Sequence, residues 1–329
     1  MNNTQRDIIK TMEPFVEDQL SLLKPVSESW QPADLLPNMT QEDWTSTLQE
    51  CRHRSESLSD ETLVVLVGNM ITEEALPTYQ TLLNRPPEFA DATGEDDTPW
   101  ARWTRGWTAE ENRHGEILGR YLYLTGRVDM RSVEITIQHL LRNGFDPLAG
   151  QDPYKGLIYT SFQERATKIS HGNVSRLAKE SGDSLLERIC SLVMGDEARH
   201  EEAYKRFVRK IIELDPSEGL LAFATMMKRM IAMPGKNMTD GNDPDLFSHF
   251  AVAAQRIGVY TANDYASIIE HLVGFWKISE LSGLTSEAEE AQDHLCGLAQ
   301  RYSKLADRAQ AGLARQPKMP VSWIFGRSV

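Results

Sequence analysis

Two copies of the spacing Glu-x-x-His, each with a further glutamate in the helical segment before it, constrain this chain more than any other feature. In chain order the residues are Glu73, then Glu111 with His114, then Glu164, then Glu197 with His200. Each lies in a stretch whose apolar residues recur at helical spacing. Residues three apart share one face of a helix, so Glu111 and His114 can reach one ion together, as can Glu197 and His200. Four helices that turn these six side chains inward would hold two iron ions in a bundle core. Four carboxylates balance two ferrous ions, so the cluster can be buried without a large unpaired charge. Imidazole with carboxylate suits redox-active iron. The pattern points to oxygen chemistry at a carboxylate-bridged metal pair.

Spacing alone proves little, because Glu50 and His53 have it too. That copy sits beside Arg52, Arg54 and Glu56, a polar setting that reads as a solvated helix face. The other two copies are embedded in long amphipathic segments. His139, His171, His249, His271 and His294 lack such partners and read as structural.

Alternating β-type runs are nearly absent, which makes the class all-α. Ser59 or Asp60 can cap a helix that runs to about Leu83, kinked by Pro77. Thr98-Pro99 opens a helix through Trp103, Trp107 and Tyr121. Shorter helical patterns span about Ser132 to Arg142, then long ones about Tyr154 to Glu180 and Asp183 to Leu214. Further helices are expected over about Ser217–Ala232, Asp245–Ile257, Ala262–Lys277 and Ser286–Leu313. Arg85 to Asp97, with two adjacent prolines and five acids, reads as an exposed, mobile loop. The expectation is one domain over residues 1–329, with an irregular arm to about residue 58 and a tail from about residue 317 laid on the surface.

The formal charge of −13 argues against nonspecific nucleic-acid binding. No apolar run is long enough to span a bilayer and no signal segment opens the chain, so a soluble intracellular protein is expected. Cys51, Cys190 and Cys296 lack CxxC spacing and read as free thiols. No GxGxxG turn supplies a nucleotide site.

At Met70–Tyr79 (MITEEALPTY), Trp107–Gly115 (WTAEENRHG), Tyr159–Thr167 (YTSFQERAT) and Asp196–Glu201 (DEARHE) the chain resembles the soluble acyl-(acyl carrier protein) desaturases of plant plastids and some bacteria. The likeness runs from about Leu20 to Trp323-Ile324-Phe325. It implies a ferritin-like four-helix bundle core with additional helices, a homodimer, and a bent apolar channel beside two Fe(2+) per subunit. It also implies O2-dependent formation of a cis double bond, most often at carbon 9, on a chain carried by acyl carrier protein, with electrons from ferredoxin. The family's metal ligands fall on Glu73, Glu111, His114, Glu164, Glu197 and His200; Thr167 matches a hydroxyl near bound oxygen, and Trp30 and Asp196 with His114 match its electron route. Their plainer readings are a helix back-bond for Thr167, packing for Trp30 and a surface acid for Asp196.

The resemblance has departures. Ala198 stands where plant members carry lysine, the loop from Arg85 to Pro99 diverges, and Leu157 replaces a larger aromatic near the channel. An acidic carrier should meet a basic patch, for which Lys205, Arg206, Arg209 and Lys210, or Lys228 with Arg229, are candidates. A missing transit segment fits the bacterial cytoplasm, or the plastid stroma for a trimmed protein. Three other readings compete: a radical-generating ribonucleotide reductase subunit, an iron-storage protein, and a desaturase-like oxygenase on another carrier-bound chain. The first needs a tyrosine where this chain has Leu118, and the second leaves the extra helices without a role.

Overall fold

The structure, a computed structural model, describes residues 3–313 and 315–329. Among these residues are fourteen α-helices: α1 Asn3–Thr11, α2 Glu13–Gln19, α3 Trp44–Ser55, α4 Asp60–Glu73, α5 Leu76–Leu83, α6 Pro99–Thr125, α7 Met130–Asn143, α8 Pro153–Glu180, α9 Ser184–Leu214, α10 Pro216–Met227, α11 Leu246–Arg256, α12 Ala262–Phe275, α13 Ser286–Cys296 and α14 Leu298–Leu313. Pairing between extended segments, among the described residues, amounts to a bridge between Pro320 and Ser328. No described helix is long and apolar enough to cross a membrane.

Short polar side chains start the long helices by accepting otherwise orphaned backbone N–H groups. Ser59 caps α4 from Thr62 N, Thr98 caps α6 from Ala101 N, Asp152 caps α8 from Tyr154 and Lys155 N, and Asp183 caps α9 from Leu186 N. Proline follows Thr98 and Asp152, where its missing N–H costs nothing.

Helix α4 packs on α6 and α8, and α9 packs on the same two, which closes a four-cornered bundle. Two apolar layers fill it. One holds Trp103, Trp107, Phe162, Tyr204 and Phe207; the other holds Leu63, Val67, Leu118, Val174 and Val193. Along α6 and α8 the chain passes from the first layer to the second, and along α9 from the second to the first. The short Ser181–Asp183 turn therefore joins antiparallel neighbours, while α6 and α8 point the same way and need the crossing through α7. Gly68 lets α11 approach the buried α4: a Cβ there would sit 2.3 Å from the Phe250 ring.

Four expectations need correction. The segment from Asp60 to Leu83 is two helices rather than one kinked helix, with Pro77 in the first turn of α5. Proline offers no N–H to the carbonyl four residues back and crowds it, and the Tyr79 hydroxyl instead donates to Glu73 O at 3.2 Å. Residues 286–313 likewise divide at Gly297. The tail is not laid on the surface: Trp323 and Ile324 are fully buried, and the Trp323 indole donates to Thr136 Oγ1 at 2.9 Å. The arm before residue 58 is also more regular than expected, since it carries α1, α2 and α3. In the loop before α6, Phe89 is buried against Trp100.

Candidate metal centre

Between the two apolar layers lies a belt of polar side chains. Glu73 closes α4, Glu111 and His114 come from α6, Glu164 from α8, and Glu197 and His200 from α9; all six are buried. Their ligand atoms fall into two overlapping groups, Glu73, Glu111, His114, Glu197 and Glu111, Glu164, Glu197, His200, each with its atoms within 4.8 Å of one another. Glu111 and Glu197 belong to both, the position of bridging carboxylates.

Both histidines turn Nδ1 toward the carboxylates. His114 Nδ1 lies 3.4 Å from Glu111 and 3.3 Å from Glu197; His200 Nδ1 lies 2.7 Å from Glu111 and 3.6 Å from Glu164. Yet, among the described residues, His114 Nδ1, His200 Nδ1, Glu111 Oε1 and Glu164 Oε2 find no hydrogen-bond partner. A buried polar atom without a partner costs about 1–3 kcal/mol, so four of them aimed into one small volume fit a metal centre. The electrostatics agree. Burial pushes the Glu73 carboxyl up, more than the His171 hydrogen bond lowers it, and pushes Glu164 well up. Burial would lower both imidazoles, but Glu111 with Asp196 lifts His114, and Glu110 with Glu111 lifts His200, each well above the ordinary value. A core that draws protons this strongly would also draw cations.

Each ligand is held from outside. His114 Nε2 faces Asp196 at 3.4 Å and His200 Nε2 faces Glu110 at 3.0 Å; such carboxylates fix the ring and leave Nδ1 free to bind. Asp196 in turn accepts from the Trp30 indole at 3.0 Å and Arg113 at 3.0 Å, and Trp30 stacks on His114. Thr167 Oγ1 bonds to Glu197 Oε2 at 2.8 Å as well as to Gln163 O at 3.0 Å, so it both back-bonds its helix and touches the centre. The structure thus brings together all nine candidates, including Trp30, Asp196 and Thr167. Asp196 is buried, not a surface acid.

Three partners escaped the sequence reading. Glu110 accepts from Arg199 at 2.6 Å and from Lys24 N at 2.7 Å besides facing His200. Trp107 donates to Glu164 at 3.1 Å. His171, read as lacking a partner, lies 2.8 Å from Glu73 through Nε2. Its position, seven residues beyond Glu164 and four beyond Thr167, places it on the ligand face of α8, a signal that periodicity could have supplied. Glu50 and His53 are exposed and pair with Arg54 and Glu56 respectively.

A pocket with about 770 Å³ of empty space, its mouth included, leads from Glu73, Glu111, Glu164, Glu197 and Thr167 to largely apolar walls. Tyr79, Leu82, Phe89, Trp107, Tyr159 and Pro234 are among its lining residues. On α8 the lining positions are Gly156, Tyr159, Thr160, Gln163, Glu164 and Thr167, one helical face. Leu157 is buried but not on it.

Comparison with known proteins agrees with this site. The fatty acid desaturase family model matches residues 4–325. The chain is 53% identical over 324 residues to the chloroplastic stearoyl-[acyl-carrier-protein] 9-desaturase of Spinacia oleracea, covering 98% of this chain and 81% of that one. It is 51% identical over 324 residues to the acyl-[acyl-carrier-protein] 6-desaturase of Thunbergia alata, covering 98% and 84%. In fold it is similar to the X-ray structure of DesA2 from Mycobacterium tuberculosis H37Rv, with TM-score 0.52, 18% identity, and coverage of 83% and 96%. A near-full-length family match and relatives above half identity, on a buried Glu/His cluster at the end of an apolar pocket, place this chain in the fatty acid desaturase family.

Proposed function

We propose that this protein is an acyl-(acyl carrier protein) desaturase that holds two Fe(2+) per chain and forms a cis double bond at carbon 9 of a saturated acyl chain. One observation carries the reading: six buried ligands, four of whose atoms find no hydrogen-bond partner among the described residues, stand together, and their four glutamates close one end of an apolar pocket. Glu73, Glu111, His114 and Glu197 would hold one ion, and Glu111, Glu164, Glu197 and His200 the other. When bound, the iron pair supplies O2 activation and an oxidant strong enough to remove hydrogen from an unactivated methylene.

The protein's own share is positioning, exclusion of water and proton handling. Neighbouring methylenes are chemically alike, so the site of reaction is set by how far the chain enters. The apolar walls keep the reaction dry. The Thr167 hydroxyl, 2.8 Å from Glu197, can hold or pass a proton at the pocket's end. Reducing O2 to two waters takes four electrons and making one double bond yields two, so two come from an external donor. With no nucleotide motif in the sequence, ferredoxin fits that role. Trp30, hydrogen-bonded to Asp196 and stacked on His114, would receive them, and the active molecule would be a homodimer.

For the acidic carrier protein, Lys205, Arg206, Arg209 and Lys210 are poor candidates, because each is already paired with Glu201, Glu202 or Glu213. Lys228 and Arg229 are exposed and form no ion pair among the described residues, and their segment continues to the pocket-lining Pro234. They are the docking candidates that charge complementarity favours. The test supplies stearoyl- and palmitoyl-carrier protein with O2, ferredoxin and its reductase, and locates any double bond by mass spectrometry. An alkene at carbon 9 that requires both carrier and donor is expected. A hydroxylated product, or iron oxidation with no acyl product, would overturn the reading.

A further inference from the structure

Three of the chain's seven tryptophans, Trp100, Trp103 and Trp107, fall on one stripe of α6. The stripe begins at the metal centre. Trp107 lines the pocket, donates to Glu164 at 3.1 Å, and has its ring 6.5 Å from that of His200. On α9 the Tyr204 ring stands 5.9 Å from Trp107 and 5.7 Å from Trp103. The Phe207 ring then lies 5.2 Å from Trp103 and 5.1 Å from Trp100. Every one of these rings is buried. Bulk alone would be met by leucine, as it is at Leu63, Leu66 and Leu118 of the opposite apolar layer; that layer also holds Trp30, Tyr121 and Trp323, but they share no helix. Indoles, by contrast, are among the side chains most easily oxidised by one electron.

We propose that Trp107, Trp103 and Trp100 form an escape path that draws oxidising equivalents away from the centre when no acyl chain fills the pocket. The proposal rests on the two-iron reading above. It is distinct from the Trp30 side, which meets the centre through Asp196 and His114. Electrons move inward along α6 as the hole moves outward: Trp107 gives up one electron, Trp103 refills it, and Trp100 refills Trp103. Tyr204 and Phe207 fill the gaps between the indoles. Among the described residues the Tyr204 hydroxyl donates to no acceptor, so no base stands ready for its proton, and the hole does not come to rest there. With hydrogen peroxide as oxidant and a thiol as reductant the balance closes. The O–O bond is reduced to two waters, and two thiols give up two electrons and two protons and become a disulfide.

The experiment uses the iron-reconstituted full chain without acyl substrate, treated with limiting hydrogen peroxide in the absence of thiol. Peptide mass spectrometry then locates hydroxylated and ring-opened tryptophan. Oxidation in the unaltered protein should concentrate at Trp100, the far end of the path. Trp103→Phe removes the middle indole, and the oxidised site should shift back to Trp107. Trp100→Phe is a second probe that leaves the inner part of the path intact, and it should shift the oxidation to Trp103. Iron content and turnover of stearoyl-carrier protein, measured on the same samples, should be unchanged in both variants. An unaltered oxidation pattern in both variants overturns the proposal, as does oxidation confined to Trp107 in the unaltered protein. The same pattern in metal-free protein would show direct peroxide attack and also overturn it. Failure to bind iron would sink the two-iron reading and this path with it, and the iron count identifies that case.

Discussion

Removing the Glu110 carboxylate tests whether the outer residues of the centre act on the metal or merely fill space. Glu110 Oε2 lies 3.0 Å from His200 Nε2 and 2.6 Å from Arg199, while Oε1 accepts from Lys24 N at 2.7 Å. Losing the outer partner of a ligating histidine typically weakens metal binding about 10–100-fold, or about 1.4–2.8 kcal/mol at 1.4 kcal/mol per factor of ten. Glu110→Gln keeps an acceptor of the same shape but loses the charge, so about a 10-fold loss is expected, with little effect on folding. Glu110→Ala also strips the Lys24 N–H and Arg199 of a partner. It should approach the 100-fold end and cost about 1–3 kcal/mol of metal-free stability. Arg199 keeps Asp196 at 2.9 Å and Leu22 O at 3.0 Å, which limits that cost. The loss should fall on one ion, because His200 belongs to only one of the two ligand groups. Competition with a chelator, using Co(2+) as probe, reads the two affinities, and urea denaturation of the metal-free protein reads the folding cost. Unchanged affinity in both variants, or equal weakening of both ions, would refute the reasoning.

Other consequences can be checked alongside. Glu50→Ala with His53→Ala should leave metal content unchanged and stability within about 0.5 kcal/mol, because both side chains are exposed; loss of metal would make that pair part of a metal site. Trp323→Ala should cost about 3–5 kcal/mol in urea denaturation, since the indole is fully buried and bonded to Thr136; a cost near zero would return the tail to the surface. Burial would raise the Glu201 carboxyl, but His271, Lys168, Lys205 and Arg165 outweigh it and hold the carboxyl well below the usual range. A depressed folded value contributes stability above the ordinary glutamate pKa of about 4.3 and loses it as pH falls toward the folded value. Glu201→Gln should therefore cost about 3 kcal/mol at neutral pH, with the difference from the parent shrinking below that range; a pH-independent difference would contradict the charge cluster.

Much of the centre was legible because its ligands obey a local rule. Glu111 with His114 and Glu197 with His200 share helix faces by spacing alone, and the long amphipathic segments and their caps mark the bundle. What escaped depends on which faces meet. Glu110 stands beside a ligand in sequence, but it meets His200 and Arg199 only because α6 packs against α9. His171 was within reach of periodicity, yet its partner Glu73 lies on another helix. The helix break before Pro77 depended on the Tyr79 hydroxyl taking over the Glu73 carbonyl, and burial of Trp323 on a pairing with Thr136 187 residues away in the chain. Partners of these kinds leave no periodic trace.

The most direct test of the two-ion centre is the iron bound per chain after anaerobic reconstitution, compared between the parent and Glu111→Ala. Glu111 is in both ligand groups, so its loss should empty the centre rather than half of it. About two irons per chain in the parent, and most of both lost in Glu111→Ala, is the predicted result. Two irons retained in the variant, or none bound by the parent, would contradict the account.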